Sequence, residues 1–254
     1  MSSREYPKVW SHFERHVGDA TLKFEIGDIS ETMWSTAVEF MLGNYIREDV
    51  WWVAAGTARD VEAVQEYRVL LTAIISQKMS LACFLAAGDG SGRSLVAVNM
   101  CLPQKKGCFV EHNPVTIVRQ STYTLPSPVT EPRLPKTKAG LLSLRMFAEA
   151  MKVTAIYDKY NVSEYLMGTG LSVAPGYRGL GVAVEVLKAR IKLAKELGFR
   201  ATGGIFTSEA AQRSAETVGY ECLYRISYKK FGKQCNIDFH SKTEELKIFG
   251  VRTE

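Results

Sequence analysis

The segment from Tyr165 to Gly198 constrains this chain more than any other. Tyr165–Val173 is a β-favouring run interrupted by Gly168 and Gly170, and Pro175 to Gly181 is a glycine-rich turn. Ala183, Val186, Leu187, Ile191, Ala194 and Leu197 then recur at helical spacing until Gly198 stops them. A strand that turns tightly into a helix gathers unpaired backbone N–H groups at the positive end of the helix dipole. Such a place binds anions, and a diphosphate is the natural guest. No Lys-Ser or Lys-Thr follows the final glycine, which rejects a P-loop, and the Gly-x-Gly-x-x-Gly order of a dinucleotide turn is missing. On the glycines alone, a turn that merely joins strand to helix remains an equal reading.

The rest of the chain supplies the setting. Residues 1–20 read as an irregular lead-in, and 21–254 as a single domain. Thr21–Ile26 is a short strand. Asp28-Ile29-Ser30-Glu31 has capping-box spacing, and Met33, Ala37, Phe40 and Met41 predict a helix ending at Gly43. Arg47 to Trp52 is a charged, then aromatic loop, and Arg59 to Lys78 a second helix. Ser80–Ala87 and Ser94–Leu102 form an antiparallel hairpin across a glycine-rich turn. Pro103 to Ala139 holds six of the eight prolines, with Val115–Val118 as a brief strand; a loop of that length is usually functional. Gly140–Tyr160 and Ser208–Val218 read as helices, and Ala201–Phe206, Glu221–Ser227 and Glu245–Val251 as strands. The pattern predicts an α/β fold with a mixed sheet.

Composition excludes several classes. Across 254 residues, 46% hydrophobic and 23% charged residues suit a globular core rather than disorder. The longest nearly apolar stretches, Val69–Ile75 and Leu81–Ala87, fall short of the roughly 18 residues that a membrane helix needs. Charged residues throughout the first twenty speak against a secretory leader, so a cytoplasmic protein with no membrane partner is expected. Five cysteines without CxxC spacing predict reduced thiols and no metal. A net charge of +5 suits a polyanionic small ligand but lacks the basic stripe of a nucleic-acid binder.

With its flanks included, the glycine turn resembles the pyrophosphate loop of the GNAT superfamily of N-acetyltransferases, Val-x-Pro-x-x-Arg-x-x-Gly-x-Gly/Ala. Val173, Pro175, Arg178, Gly179, Gly181 and Ala183 sit in that pattern. Thr207 to Glu221 resembles the second coenzyme-binding helix with its closing Gly-Phe/Tyr-Glu. Asp158 to Val162 and Arg225 to Tyr228 are most similar to insect arylalkylamine N-acetyltransferases. The resemblance spans roughly Thr21 to Val251 and is poorest across Pro103–Ala139. It implies a GNAT fold, a central mixed and mainly antiparallel sheet flanked by helices. It also implies acetyl-CoA or another acyl-CoA as cosubstrate and direct transfer to a primary amine, arylalkylamines first, in a ternary complex. The pyrophosphate would lie on Arg178, Gly179, Leu180, Gly181, Val182 and Ala183. The pantetheine arm would pair with Leu171, Ser172 and Val173, and Ser208 and Arg213 would complete the donor site.

The amine must attack as a free base, yet an alkylamine of pKa about 10.4 is only roughly 0.1% neutral at pH 7. The family's base is a Glu in an Asp-Glu-Pro-Leu segment, and the matching residues here are Glu48-Asp49-Val50-Trp51, which places Asp49 at the acceptor position with Glu48 as neighbour. The plainer reading is a solvated acidic pair at a helix-to-loop junction. Thr207 and Ser208 retain the family's hydroxyls, whereas Ala211 and Ala215 stand where a second serine and a tyrosine acid are expected. These departures leave a GNAT-fold acyl-CoA-binding protein as the alternative. Trp51 and Trp52 are either walls of an aromatic-amine pocket or core residues. His12 and His16 have helical metal spacing but no ligand partner in the local sequence.

Overall fold

The computed structural model describes residues 4–86, 92–107 and 135–254. Its strands are β1 (Val9–Val17), β2 (Ala20–Asp28), β3 (Leu81–Ala86), β4 (Arg93–Lys105), β5 (Glu164–Val173), β6 (Ala201–Phe206), β7 (Glu221–Ser227) and β8 (Glu245–Arg252). They form one eight-stranded sheet in the order β1-β2-β3-β4-β5-β6-β8-β7. Every neighbouring pair is antiparallel except β5–β6. The helices are α1 (Trp34–Phe40), α2 (Ile46–Glu48), α3 (Val50–Ala55), α4 (Val61–Ile75), α5 (Lys138–Lys152), α6 (Ile156–Tyr160), α7 (Val182–Glu196), α8 (Glu209–Val218) and α9 (Tyr228–Cys235).

The central strands are apolar on both sides because helices cover both faces. Leu81, Cys83 and Ala97 pack against Val186 and Leu193 of α7. Their neighbours Ala82, Phe84 and Val98 pack against Met41, Leu71 and Ile75 on the other face. Each such aliphatic side chain contributes about 1.5–3 kcal/mol when fully buried. The mixed, mainly antiparallel sheet flanked by helices is the expected architecture.

Local readings differ from it in several places. Residues 9–17, inside the expected lead-in, form strand β1, antiparallel to β2. Its inward side chains, Trp10, Phe13 and Arg15, alternate with exposed His12, Glu14 and His16, so charge on the open face masked a strand. The two histidines therefore lie on a strand, not a helix. Asp28 caps no helix: it is buried at the end of β2, where it accepts hydrogen bonds from Arg4 Nη1 (2.6 Å), the Lys8 N–H (2.9 Å) and Trp10 Nε1 (3.0 Å). Gly43 does not end the first helix, because the chain continues as a π-helical turn over Met41–Tyr45 and then α2. Arg47 to Trp52, expected as a loop, is α2 and α3 with Asp49 between them.

Gly140–Tyr160 divides into α5 and α6, and α9 had no counterpart in the sequence reading. Most of Pro103–Ala139, Val115–Val118 with it, lies outside the described residues.

Candidate active site

The one parallel pair in the sheet is short. It runs from Leu166↔Thr202 to Gly168↔Gly204, after which β5 continues to Val173 without β6 beside it. A second irregularity falls at the same level: the β4–β5 register passes from Met100↔Gly170 to Cys101↔Gly168, leaving Thr169 as an extra residue. Such a bulge reverses which face successive residues address. A Cβ on Gly168 would collide with Arg190 Nη1 on the α7 face, and one on Gly170 would meet the Tyr45 ring at 2.8 Å on the opposite face. Both glycines are therefore imposed by close approach.

The glycine turn flanks this opening. Pro175–Tyr177 is a single 3-10 turn, Gly179 and Gly181 take φ of +79° and +73°, and Gly181 is the residue from which α7 starts. Those left-handed conformations suit glycine, and Gly179, Gly181 and the first residues of α7, Val182 and Ala183, line the opening. Two arginines fix the turn. Arg178 Nε donates to the Val173 carbonyl (2.9 Å), and Arg15 of β1 donates from Nε to the Leu180 carbonyl (2.8 Å) and from Nη2 to Glu185 (3.1 Å).

Between the turn, the free edge of β5 and the start of α8 lies a cleft of about 630 Å³. Every expected donor residue lines it except Leu180, whose side chain packs among the apolar residues around α7. Ser208 caps α8 by accepting from the Ala211 N–H (3.4 Å), and Arg213 pairs with Glu209 (3.1 Å) on the exposed side.

On the far side of the opening is an apolar cavity of about 180 Å³, whose walls include Trp51, Trp52, Tyr67, Phe147 and Met167. Trp51 is both core and wall: it is 4% exposed and stacks on Phe231 at 5.6 Å. Trp52 meets Tyr67 edge-on at 4.5 Å. Glu66, the acid in this wall, is already engaged by the Thr137 N–H (3.1 Å) and hydroxyl (2.6 Å) at the start of α5. Tyr45, Gly168, Ile205 and Thr207 line both spaces.

Asp49 stands at this junction. As the residue before α3 it accepts the Trp51 N–H at 3.0 Å, a cap worth about 1 kcal/mol, and its Oδ2 accepts the Thr207 hydroxyl. Some of the residue reaches the cleft surface, yet its carboxylate is recessed among Tyr45, Trp51 and Trp52. Burial pushes the pKa up to about 6, against the lowering effect of the bonds from Thr207, Trp51 and Trp52. Thr207 is held from behind, because the Tyr228 hydroxyl donates to its carbonyl at 2.7 Å. Glu48 points elsewhere: it is half exposed and pairs with Arg178 Nη2 at 2.5 Å. The structure thus brings Asp49 and Thr207 together and pairs Glu48 with Arg178 of the glycine turn. Ser208 lines the larger cleft and caps α8.

Sequence reading missed Tyr45, Tyr228, Asn99 and Arg190. Tyr45 carried a signal, lying four residues after Met41 on the same face of a helix that Gly43 seemed to end. Asn99 is a buried polar residue inside an apolar run and carried none, whereas Arg190 falls on the apolar stripe of α7, three residues after Leu187 and four before Ala194, a spacing that marks it as facing the core. No group of three or more metal-ligating side chains occurs among the described residues, and no helix among them is long and apolar enough to cross a membrane.

A sheet that parts at its parallel pair, with a glycine turn feeding a helix beside the gap, has the fold of the GNAT acetyltransferases. Its solved structural neighbours are insect arylalkylamine N-acetyltransferases and related enzymes. A protein assigned as arylalkylamine N-acetyltransferase 7 from the yellow fever mosquito Aedes aegypti superposes with a TM-score of 0.78 at 23% identity, covering 100% of this chain and 98% of that one. The Drosophila melanogaster polyamine N-acetyltransferase, which forms N-acetylagmatine, gives 0.69 at 15% identity over 90% and 99%. Arylalkylamine N-acetyltransferase 2 from Aedes aegypti gives 0.68 at 16% over 91% and 99%. The sequence itself matches no family model and no curated protein. At these identities the likeness establishes the fold.

Proposed function

We propose that this chain is an acyl-CoA-dependent N-acyltransferase that moves an acyl group, acetyl in the simplest case, to a primary amine with an aromatic or apolar body. One observation carries the reading: a recessed carboxylate, Asp49, stands where an anion-binding cleft meets an aromatic-walled cavity. The diphosphate of the donor lies on the N–H groups from Gly179 to Ala183, where the helix dipole and Arg178 neutralise it. The pantetheine arm completes the ladder along the free edge of β5, and a backbone N–H near Thr169 polarises the thioester carbonyl.

The amine enters from the aromatic side. Asp49, ionised for the most part at pH 7 with a pKa near 6, takes the ammonium proton directly or through one water. The amine nitrogen attacks the carbonyl carbon, a C–N bond forms, the C–S bond breaks, and the coenzyme leaves as thiolate, which takes up the proton that the new amide nitrogen sheds. A thiolate with pKa of about 8.5 leaves without a dedicated acid, which fits alanine at 211 and 215. The same alanines motivate the second reading, an acyl-CoA-binding protein without efficient transfer. Free-thiol release from acetyl-CoA with arylalkylamines, polyamines and amino acids tests both. Thiol release that depends on an amine supports transfer, whereas binding without release supports the second reading.

A further inference from the structure

Arg190 is a buried cation with no acid beside it. It lies on α7 with only 2% of its surface exposed, and no carboxylate pairs with it among the described residues. Its Nε donates to the Tyr220 hydroxyl at 3.3 Å, its Nη1 reaches Asn99 Oδ1 only at 3.5 Å, and its Nη2 has no partner. Asn99 spends its own amide on the Gly170 carbonyl at 2.8 Å. An unpaired buried charge strongly destabilises a fold, so a guanidinium kept this way is poised for an anion that arrives from outside.

Its position says which anion. Arg190 lines the donor cleft and not the aromatic cavity. Its Nη1 occupies the place of the missing Gly168 Cβ, at the last paired position before β5 and β6 separate. It also sits eight residues into α7 from Val182, about 12 Å along the axis from the diphosphate loop, too deep for the phosphates. A coenzyme A thioester held by that loop, with its arm on β5, carries its phosphates at the outer end and a neutral pantetheine between. The acyl group is the one part that can bring negative charge to Gly168.

Resting on the transferase reading above, we infer that the preferred donor carries a short acyl chain ending in a carboxylate, of the malonyl or succinyl kind, with Arg190 and Asn99 reading that end. Arg190 is then a specificity-determining residue. The transfer keeps its balance: the amine nitrogen bonds to the thioester carbon, the thiolate leaves, and the distal carboxylate passes unchanged into the amide product.

The test measures thiol release and melting temperature with free coenzyme A and with acetyl-, butyryl-, malonyl- and succinyl-CoA, in wild type and Arg190→Met. In wild type, kcat/KM for malonyl- or succinyl-CoA should exceed that for uncharged butyryl-CoA at least tenfold. Arg190→Met should reverse that order while the ligand-free protein melts at or above the wild-type temperature, because it loses a buried charge. A wild type that favours butyryl-CoA overturns the proposal by itself, whatever the variant does. So does an Arg190→Met that weakens all donors equally, which would mean contact with the common pantetheine. A variant that melts several degrees lower with unchanged donor ranking would assign Arg190 to holding Tyr220 and overturn it too. If coenzyme A and its thioesters all fail to raise the melting temperature, the donor reading falls and takes this inference with it. Turnover of acetyl-CoA without a carboxylate preference leaves the transferase reading standing and removes this inference alone.

Discussion

The Thr207 hydroxyl donates a hydrogen bond to Asp49 Oδ2 across 158 residues of sequence, joining the end of β6 to the start of α3. This bond holds a carboxylate that burial would otherwise protonate even more readily, because its lowering effect is the largest that opposes desolvation. Replacing Thr207 with Val should therefore raise the Asp49 pKa and move the acidic limb of kcat/KM upward by about one pH unit. An unmoved limb would show that the two groups are not coupled in solution.

Asp49→Ala should lower kcat/KM by about 10²–10⁴-fold near neutral pH, the usual range for a general base. Coenzyme A affinity should stay nearly constant, since the donor site proposed above lies on the turn and β5. Activity should recover as pH rises and the amine becomes neutral on its own. A variant with full activity across the pH range would remove Asp49 from the mechanism.

The same carboxylate affects stability, with a definite sign. Unfolded, Asp49 loses its proton near 3.8, whereas folded it keeps it to about 6, so rising pH destabilises the fold across that window and not above it. The difference corresponds to about 3 kcal/mol. Asp49→Asn, which retains a capping side chain, should match wild type below pH 4 and gain up to that amount by pH 7 in denaturant unfolding. A difference that does not widen between those pH values would contradict a desolvated carboxylate.

Glu48→Ala should leave turnover intact and tighten coenzyme A binding by less than about fivefold, because an exposed ion pair is worth about 0–1 kcal/mol and its loss frees Arg178 for the diphosphate. If Glu48→Ala abolishes activity while Asp49→Ala retains it, the proton acceptor is Glu48.

Gly179→Asp should block the rise in melting temperature that coenzyme A gives wild type. Gly179 has φ of +79°, which Asp tolerates better than most residues, and no atom lies within 4 Å of its added Cβ, so the variant should fold. Its negative charge at the mouth of the loop repels the phosphates. A full shift in the folded variant would mean that the diphosphate binds elsewhere.

What could be read from the sequence was what repeats or punctuates. The stripe from Ala183 to Leu197 and the glycines of the turn report local backbone needs, so β5, the turn and α7 stood out with their ends nearly correct. The hairpin strands β3 and β4 were visible because both of their faces are apolar. Asp49 was placed by its match to a family segment, but its partner was not, because Thr207 meets it only in the folded chain. Nor could spacing show that Glu48 turns toward Arg178. Tyr45 was hidden by reading Gly43 as a stop, although a π-helical turn accepts glycine without ending. Arg190 falls on the apolar stripe of α7 by spacing, so its place on the core face was legible, but its contacts with Asn99 and Tyr220 were not, because they form only in the folded chain.

Arg15 ties the first strand to the Leu180 carbonyl and to Glu185, so an edge of the sheet several strands away from the opening also braces the loop beside it. Trimming the chain at residue 21, where the sequence suggests a clean start, would preserve every residue expected to touch the donor and still loosen their grip. The working boundary of the proposed donor site therefore falls before β1, and under that reading a shortened version would differ first in how firmly it retains coenzyme A, with its proton chemistry untouched.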